Sequence, residues 1–322
     1  MRIAAIDVGT NTAKMVVAEQ DDAGGGLRIL YEERTFIRLG EGVDAARTIQ
    51  PAALERLRAA LVALRDAARS HGAERIFVGG TSASRDACNR DALIAFVRET
   101  TGLAYTIVSG EDEAALAFAG ALSAFPALSG PCAVVDIGGG STEVVGGLPG
   151  ATRFDFRTSL DVGSVRLTER CFSSQPPPTD EVAAATGLVR AALQASGVPR
   201  DPDRILVGAA GTTGSLARLH FGFQHWDETE GTPLALARAD VQAWRERLSR
   251  LTFEETLALN PDVMHGRADI FLAGLIVLDE VMDYLGVPEV RISPRGLRHG
   301  HALRMLEEVR EEQEPLSRTS DL

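Results

Sequence analysis

The chain carries the same hairpin pattern twice, at positions 129 residues apart. Residues 5–12 read AIDVGTNT and residues 134–141 read VVDIGGGS, so that Asp7 and Asp136 occupy equivalent places. In each copy an apolar run precedes the aspartate, a glycine-containing turn with hydroxyl side chains follows, and a second apolar run comes next. This pattern predicts a β-hairpin whose tip presents a carboxylate, backbone N–H groups and hydroxyls. Two such tips predict a cleft between two similar domains, where a phosphate-bearing ligand meets donors from both sides.

The bulk composition is that of a soluble globular protein. The 322 residues are 45% hydrophobic and 24% charged, which predicts two domains with a core in each. A net charge of −12 argues against non-specific binding to nucleic acid or to an anionic membrane, although a local basic pocket could still take a polyanion. Three widely spaced cysteines predict no disulfide framework and fit a reducing cytoplasm. We expect no signal peptide and no membrane span.

The order of predicted elements indicates two mixed α/β domains. Strands are predicted at 3–9, 13–19, 27–38, 75–78, 104–108, 152–159, 204–208 and 289–292, with a second hairpin over 132–147 and a turn over 21–26. Helices are predicted from Pro51 to about residue 68, and at 91–100, 109–123, 180–196, 212–220, 238–249, 267–285 and 297–312. The predicted domains are 1–124 and 125–301. The C-terminal helix, over about 302–313, is expected to pack back on the first domain, and 314–322 is predicted to be a disordered tail.

The two hairpin tips are the strongest candidates for a binding site. Successive glycines at 138–140 let backbone N–H groups converge on an anion, and hydroxyls follow at Ser141 and Thr142. Asp136 and Glu143 are hard oxygen ligands suited to magnesium, and Asp7 has the same place in the first copy. A hairpin turn without a ligand is the alternative, but two copies in register favour the functional interpretation.

Two further segments carry charged side chains next to predicted strand ends. Arg85 follows a strand and could hold phosphate with its planar fork or simply form a surface ion pair. Ser109 precedes three acids, 111–113, at a helix start, and a general base among them competes with a capping role. From the residues alone, the capping role is favoured because acids stabilise any helix N-terminus.

The remaining motifs are weaker. The run Gly208–Gly214 joins a strand to a helix, a place that suits phosphate. Arg166, Arg295 and Arg298 either line the cleft or form inter-domain ion pairs, and the second role is favoured. The histidines show no metal-binding spacing, and they stand at 71, 220, 225, 265, 299 and 301.

Taken together, these motifs resemble the exopolyphosphatase / guanosine pentaphosphate phosphohydrolase (Ppx/GppA) family. The resemblance covers about residues 1–305 and is carried by 7–12, 38–42, 81–89, 109–114, 136–143, 160–169, 208–212 and 267–274. It implies two RNase-H-like domains of the actin, sugar-kinase and Hsp70 superfamily, with an interdomain cleft. Gly80, Ser84 and Pro294 depart from the usual pattern of the family.

The resemblance also implies roles for individual residues. Glu113 matches the catalytic base of the family, which reverses the preference for a capping role. The implied phosphate contacts are Thr10, Asn11, Arg85, Gly138, Gly139, Gly140, Ser141, Thr142, Gly211, Thr212 and Arg267. The implied magnesium-associated acids are Asp7, Asp136 and Glu143.

The function implied is magnesium-dependent hydrolysis of the terminal phosphoanhydride of inorganic polyphosphate. Removal of the 5′-terminal phosphate of guanosine pentaphosphate is the alternative substrate reaction. A sugar or acid kinase of the same superfamily, or a nucleotide-gated assembly protein of the actin type, is less favoured. A homodimer is possible by the same resemblance, and neither nucleic acid nor membrane is an expected partner.

Overall fold

The computed structural model describes residues 1–21, 26–223 and 234–313 of the chain. Most of the predicted turn over 21–26, His225 and the predicted tail over 314–322 lie outside these described residues. The described chain forms two mixed sheets with helices packed against them, which confirms the α/β class. No helix in these ranges is both long enough and apolar enough to cross a bilayer.

The first sheet is built from the first hairpin and three later strands. Its strands are β1 (Arg2–Val8), β2 (Thr12–Gln20), β3 (Leu27–Phe36), β4 (Arg75–Gly80) and β5 (Thr106–Ile107). They lie in the order β3-β2-β1-β4-β5, in which β2 is antiparallel to its neighbours and β1, β4 and β5 are parallel. The helices of this part are α1 (Val43–Ala46), α2 (Pro51–Ser70), α3 (Ser82–Asp86), α4 (Arg90–Thr101) and α5 (Gly110–Leu122).

The second sheet repeats this arrangement and adds one edge strand. Its strands are β6 (Cys132–Ile137), β7 (Thr142–Gly147), β8 (Phe154–Leu160), β9 (Ile205–Ala209), β10 (Ala235–Ala237) and β11 (Glu289–Ile292). The order β8-β7-β6-β9-β11-β10 matches the first sheet strand for strand up to β11. The helices are α6 (Ser164–Cys171), α7 (Thr179–Ala195), α8 (Ala210–Phe221), α9 (Arg238–Leu248), α10 (Phe253–Ala258), α11 (Pro261–Met264), α12 (Phe271–Leu285) and α13 (Leu297–Gln313).

Each sheet has its own apolar core. Helix α2 begins with a proline at its first turn and packs against β2. It buries Leu57, Leu61 and Leu64 in the core of the first sheet, because residues spaced three or four apart share one helical face. Helix α12 is buried along most of its length and packs between α7 and α9 over the second sheet. These cores fix the two sheets as separate supports for the hairpin tips.

Two helices, α5 and α13, connect the halves. Helix α5 packs against the second sheet through Phe118, and α13 packs against the first sheet through Ala302. The two helices touch where a Cβ on Gly120 would lie 2.1 Å from the Gly296 carbonyl oxygen and a Cβ on Gly300 would lie 2.0 Å from the Leu116 oxygen. The division at residues 124 and 125 stays a prediction. Helix α5, which precedes it in the chain, packs against the second sheet.

Most predicted elements are present with ends within two residues of those expected. The exception is the helix predicted at 267–285, which begins only at Phe271 because α11 and a turn occupy the preceding residues. Strand β10 and the short helices α1, α3, α6, α10 and α11 were not predicted from the sequence. Helix α6 matters most, since it carries Arg166, which hydrogen-bonds to Gly140 of the second hairpin tip and to Asp44 of the other half.

Candidate active site

The two hairpin tips face one cavity of about 500 Å³ between the sheets. They have the same local geometry: the N–H of Gly9 donates to the Thr12 oxygen, and the N–H of Gly138 donates to the Ser141 oxygen, both at 2.9 Å. The predicted site residues that line this cavity are Asp7, Thr10, Asn11, Glu113, Asp136, Gly138, Gly139, Gly140, Ser141, Gly211, Thr212 and Arg267. The duplicated pattern therefore converges on one place.

The glycines of the second tip allow close approach between the halves. A Cβ on Gly139 would lie 2.9 Å from the Thr10 Cβ, and a Cβ on Gly140 would lie 2.4 Å from the Ser82 Oγ. Their carbonyls accept hydrogen bonds from the first turn of α6. Within the described ranges, the N–H groups of Gly139 and Gly140 donate no hydrogen bond, and they stand beside the cavity as free donors for an anion.

The two hairpins differ in charge at equivalent positions. In the first, Asp7 stands across the ladder from Lys14, and in the second Asp136 stands across from Glu143. Burial raises the pKa of Asp7 to about 6, Lys14 opposes this rise and the negative charge of Asp136 adds to it. Burial also raises the pKa of Glu143 well above its usual range, and the charges of Glu113 and Asp136 act in the same direction. The buried carboxylates of the two hairpins therefore outnumber the lysine that faces them.

The three acids at the start of α5 have three different surroundings. Asp112 is the partner of the capping residue Ser109: its N–H donates to the Ser109 Oγ at 3.1 Å, and its carboxylate accepts from that hydroxyl at 2.8 Å. Glu111 is exposed and pairs with Arg157. Glu113 is only 7% exposed and lines the cavity. One acid of this turn therefore takes part in helix capping, and a different acid is the buried carboxylate.

Arg85 is the ionic partner of Glu113. Its Nη1 donates to the Glu113 carboxylate and to the Val108 carbonyl oxygen, the latter at 3.0 Å. Burial raises the pKa of Glu113 to about 7, although the charge and hydrogen bond of Arg85 act in the opposite direction. A carboxylate with this pKa is matched to accept a proton near neutral pH.

Three predicted site residues do not line the cavity, namely Arg85, Thr142 and Glu143. Thr142 is fully buried and its hydroxyl donates to the Val162 carbonyl oxygen at 2.6 Å. Glu143 accepts a hydrogen bond from Ser159 at 2.7 Å. Thr142 and Glu143 therefore make their hydrogen bonds to the protein outside the cavity, and they support the second hairpin tip from that side. The Asn11 side chain crosses the cleft instead and donates to the Gly266 carbonyl oxygen at 3.0 Å.

Two of the departures from the family pattern are structurally linked. A Cβ on Gly80 would lie 2.3 Å from the Tyr105 hydroxyl oxygen, and that hydroxyl is 2.7 Å from the Ser84 Oγ. Small residues at 80 and 84 therefore make room for a buried tyrosine and give its hydroxyl a partner. Pro294 lies on the cavity wall.

Several lining residues were not singled out from the sequence. Lys14 was identifiable, because it occupies in the first hairpin the position of Glu143 in the second. Arg34 on β3 and Arg218 on α8 had no local signal, since neither lies in a motif. Glu32 likewise lies in no motif, whereas Ser82 lies in the 81–89 motif but was given no role there.

The carboxylates fit a hydrated magnesium ion rather than a cage made by protein alone. Within the described residues, no three acidic, histidine or cysteine side chains converge as metal ligands. The Asp7 Oδ1 atom is buried without a hydrogen-bond partner there, and Asp136 faces it closely enough to affect its pKa. Magnesium is commonly held by one or two carboxylates together with water and substrate phosphates. Asp7 and Asp136 satisfy that requirement.

Comparison with known proteins identifies relatives over almost the whole chain. Residues 16–309 match the model of the Ppx/GppA phosphatase family. The chain is 36% identical over 316 residues to exopolyphosphatase 2 of Mycobacterium tuberculosis, covering 94% of this chain and 98% of that protein. It is 29% identical to exopolyphosphatase 1 of Mycobacterium bovis, with 95% of this chain and 89% of that protein covered.

Solved structures are similar in fold over the same extent. The crystal structure of an exopolyphosphatase-like protein superimposes with a TM-score of 0.88 at 28% identity, covering 96% of this chain and 98% of that one. The Ppx/GppA family member from Aquifex aeolicus gives a TM-score of 0.78 at 27% identity, covering 97% and 98%. Sequence and fold therefore point to the same set of proteins.

Proposed function

The chain belongs to the Ppx/GppA phosphatase family, and we propose that it is an exopolyphosphatase, which hydrolyses the terminal phosphoanhydride bond of inorganic polyphosphate. The position of Glu113 carries this proposal. It is a buried carboxylate on the wall of a cavity whose other walls are two glycine-containing hairpin tips. A base beside a set of anion donors is the arrangement that water attack on a terminal phosphate requires.

In the proposed mechanism, the hairpin tips hold the terminal phosphate. The N–H groups of Gly139 and Gly140 and the hydroxyls of Thr10 and Ser141 donate to its oxygens. Glu113 accepts a proton from a water molecule placed in line with the bond to be broken. The oxygen of that water bonds to the terminal phosphorus, and the shortened polyphosphate leaves with the bridging oxygen. Arg85 keeps the Glu113 carboxylate oriented throughout.

Asp7 and Asp136 would hold magnesium at this site, and Glu143 would add negative charge behind them. The bound ion would supply positive charge to the phosphate oxygens. Lys14, across the ladder from Asp7, offers a further positive charge from the protein itself. The rest of the chemistry is positioning, which falls to the tips and to Glu113.

The test is phosphate release from long-chain polyphosphate in the presence of magnesium. We expect Glu113→Gln to lower kcat by about 10²- to 10⁴-fold, the usual contribution of a general base. Glu111→Gln is the matched control, since it changes an exposed glutamate of the same helical turn that lies outside the cavity. A folded Glu113→Gln protein with wild-type turnover would show that Glu113 is not the base.

The same assay separates the two substrates. Release from guanosine pentaphosphate without release from polyphosphate would replace the proposed activity by the alternative. A cytoplasmic location and a homodimer stay predictions from the sequence.

A further inference from the structure

A second group of charged side chains lines the cavity away from Glu113. Arg34 lies on β3 of the first sheet, and Arg218 and Arg267 belong to the second half of the protein. Their guanidinium groups come together although the chain carries a net charge of −12. The three residues are called the arginine cluster below.

Phe36 places two members of the cluster next to each other. The Cζ of Arg34 lies 5.2 Å from the centre of the Phe36 ring, and the Cζ of Arg267 lies 5.7 Å from the same centre. Arg218 follows Ser215 by one turn of α8, and the Ser215 hydroxyl accepts a hydrogen bond from Arg267. The cluster is therefore built from both halves of the protein around one ring.

Two members of the cluster, Arg34 and Arg267, have no compensating charge among the described residues. Arg267 is 6% exposed, and within those residues its hydrogen bonds go to neutral acceptors, the Gly211 carbonyl oxygen at 2.6 Å and the Ser215 hydroxyl. Its Nε is buried with no partner in the described part of the chain. Neither Arg34 nor Arg267 forms an ion pair with a described carboxylate. A buried cation without a counter-ion is costly unless a ligand supplies the negative charge.

The acids nearest the cluster have other partners. Glu32 lines the same cavity but pairs with Arg298 at 2.6 Å and with His299 at 2.9 Å. Glu33 accepts a hydrogen bond from the Tyr31 hydroxyl at 3.0 Å. Burial lowers the pKa of Arg267 to about 9, and the positive charges of Arg34 and Arg218 act in the same direction. Mutual repulsion therefore persists in the folded protein.

We propose that Arg34 and Arg218, beside Arg267, form an outer anion subsite that holds phosphate groups of a linear condensed phosphate behind the terminal phosphate. This inference rests on the proposed function, because it assigns the terminal phosphate to the hairpin tips and Glu113. The subsite and the tips share one cavity of about 500 Å³, a size typical of sites for ligands larger than a single phosphate. Arg34 both lines the cavity and is exposed to solvent, so a longer chain held there can extend out of the cleft.

The subsite adds affinity for the chain without taking part in bond breaking. The double variant R34Q/R218Q is therefore expected to raise KM for long-chain polyphosphate about tenfold, equivalent to about 1.4 kcal/mol of binding free energy. The change lies in KM rather than in kcat, and KM depends less steeply on salt than in the wild type. Affinity for orthophosphate, which needs only the hairpin tips, stays the same.

Arg153→Gln is the matched control, because it removes one positive charge from an exposed residue that does not line the cavity. Equilibrium binding of tripolyphosphate, measured by calorimetry, gives a readout that does not depend on turnover. Weaker tripolyphosphate binding in the double variant, but not in the control, supports the subsite. The same comparison with guanosine pentaphosphate shows whether its second phosphate group uses this position.

A failure of the proposed function and a failure of the outer subsite would give different results. If wild-type protein binds tripolyphosphate through the arginines but hydrolyses neither polyphosphate nor guanosine pentaphosphate, the proposed function fails and the subsite stands. If tripolyphosphate binding is unchanged in the double variant, or if orthophosphate binding falls by the same factor, the outer subsite is refuted.

Discussion

Arg166 is the residue whose removal tests most directly whether the two halves hold the second hairpin tip in place. Its Nε donates to the Gly140 carbonyl oxygen at 2.6 Å, and its two Nη atoms donate to Asp44 at 3.1 Å, to Ser82 at 3.1 Å and to Asp86. The guanidinium is 6% exposed, and the two carboxylates are about one-fifth exposed. One side chain thus connects the second hairpin tip to helices α1 and α3 of the other half.

The variant Arg166→Met keeps the length of the side-chain stem and removes every one of these hydrogen bonds. Breaking a buried ion pair by removing one partner costs about 3–5 kcal/mol. The lower end applies, because Asp44 keeps a two-pronged contact with Arg170 at 2.6 and 2.8 Å. We therefore expect a loss of about 3 kcal/mol in the free energy of unfolding, or about 4 °C in Tm for a protein of this size. The Gly140 carbonyl loses its donor, so kcat is expected to fall by about tenfold or more.

Differential scanning calorimetry and phosphate-release kinetics measure the two effects. Arg170→Met is the control, since Arg170 lies one turn further along α6 and shares Asp44 but is 39% exposed and contacts neither Gly140 nor Ser82. An exposed pair is worth about 1 kcal/mol or less, so this variant should keep its kcat and most of its Tm. Equal stability and equal turnover in the two variants would refute the role given to Arg166.

Three further predictions concern pH and packing. The value of kcat/KM should rise with pH through about 7, because Glu113 must lose its proton to act as a base; a pH–rate profile that is flat from pH 5 to 8 would contradict this. In protein kept in chelator, the contribution of Glu113 to the free energy of unfolding should be lost as pH rises from about 4.5 to 7, because its folded pKa of about 7 lies above the unfolded value of 4.5 and the unfolded chain releases the proton first. Thermal melts at pH 5 and 7.5 check this: the wild type should lose stability relative to Glu113→Gln between the two pH values, and a difference that does not change with pH would contradict it. Gly120→Ala should lower the free energy of unfolding by about 3 kcal/mol, because the added Cβ would meet the α13 backbone. Gly187→Ala, on the open face of α7, is the control and should raise it by about 0.5–1 kcal/mol. Similar thermal melts for both variants would show that the helix crossing tolerates a side chain.

Local structure followed from the sequence to a large extent. A hairpin depends on an apolar pattern and a turn a few residues apart, so AIDVGTNT and VVDIGGGS sufficed to predict both tips and their shared geometry. The start of α2 at Pro51 and the cap of α5 at Ser109 likewise depend on neighbouring residues. The duplication predicted that the tips would face each other, and both line the same cavity.

The roles of neighbouring acids could not be separated in this way. Glu111, Asp112 and Glu113 are consecutive, and the sequence offers the same helix N-terminus to each. Only the packing of α5 on the second sheet turns Glu113 into the cavity, buries it and brings Arg85 to it. Burial depends on the residues that pack around a side chain, so the motif alone could not predict the raised pKa of Glu113.

What the sequence by itself determined was the family, the α/β class and the two glycine-containing hairpin tips, because each rests on short-range patterns. Only the tertiary structure decided which charges meet. Arg34 and Arg218 are 184 residues apart and lie in no motif, yet both stand beside Arg267 in the cleft. Arg166 and Asp44 are 122 residues apart, and they pair because the two halves close on one another. Charges act over a few ångströms in space, and it is the fold that sets those distances.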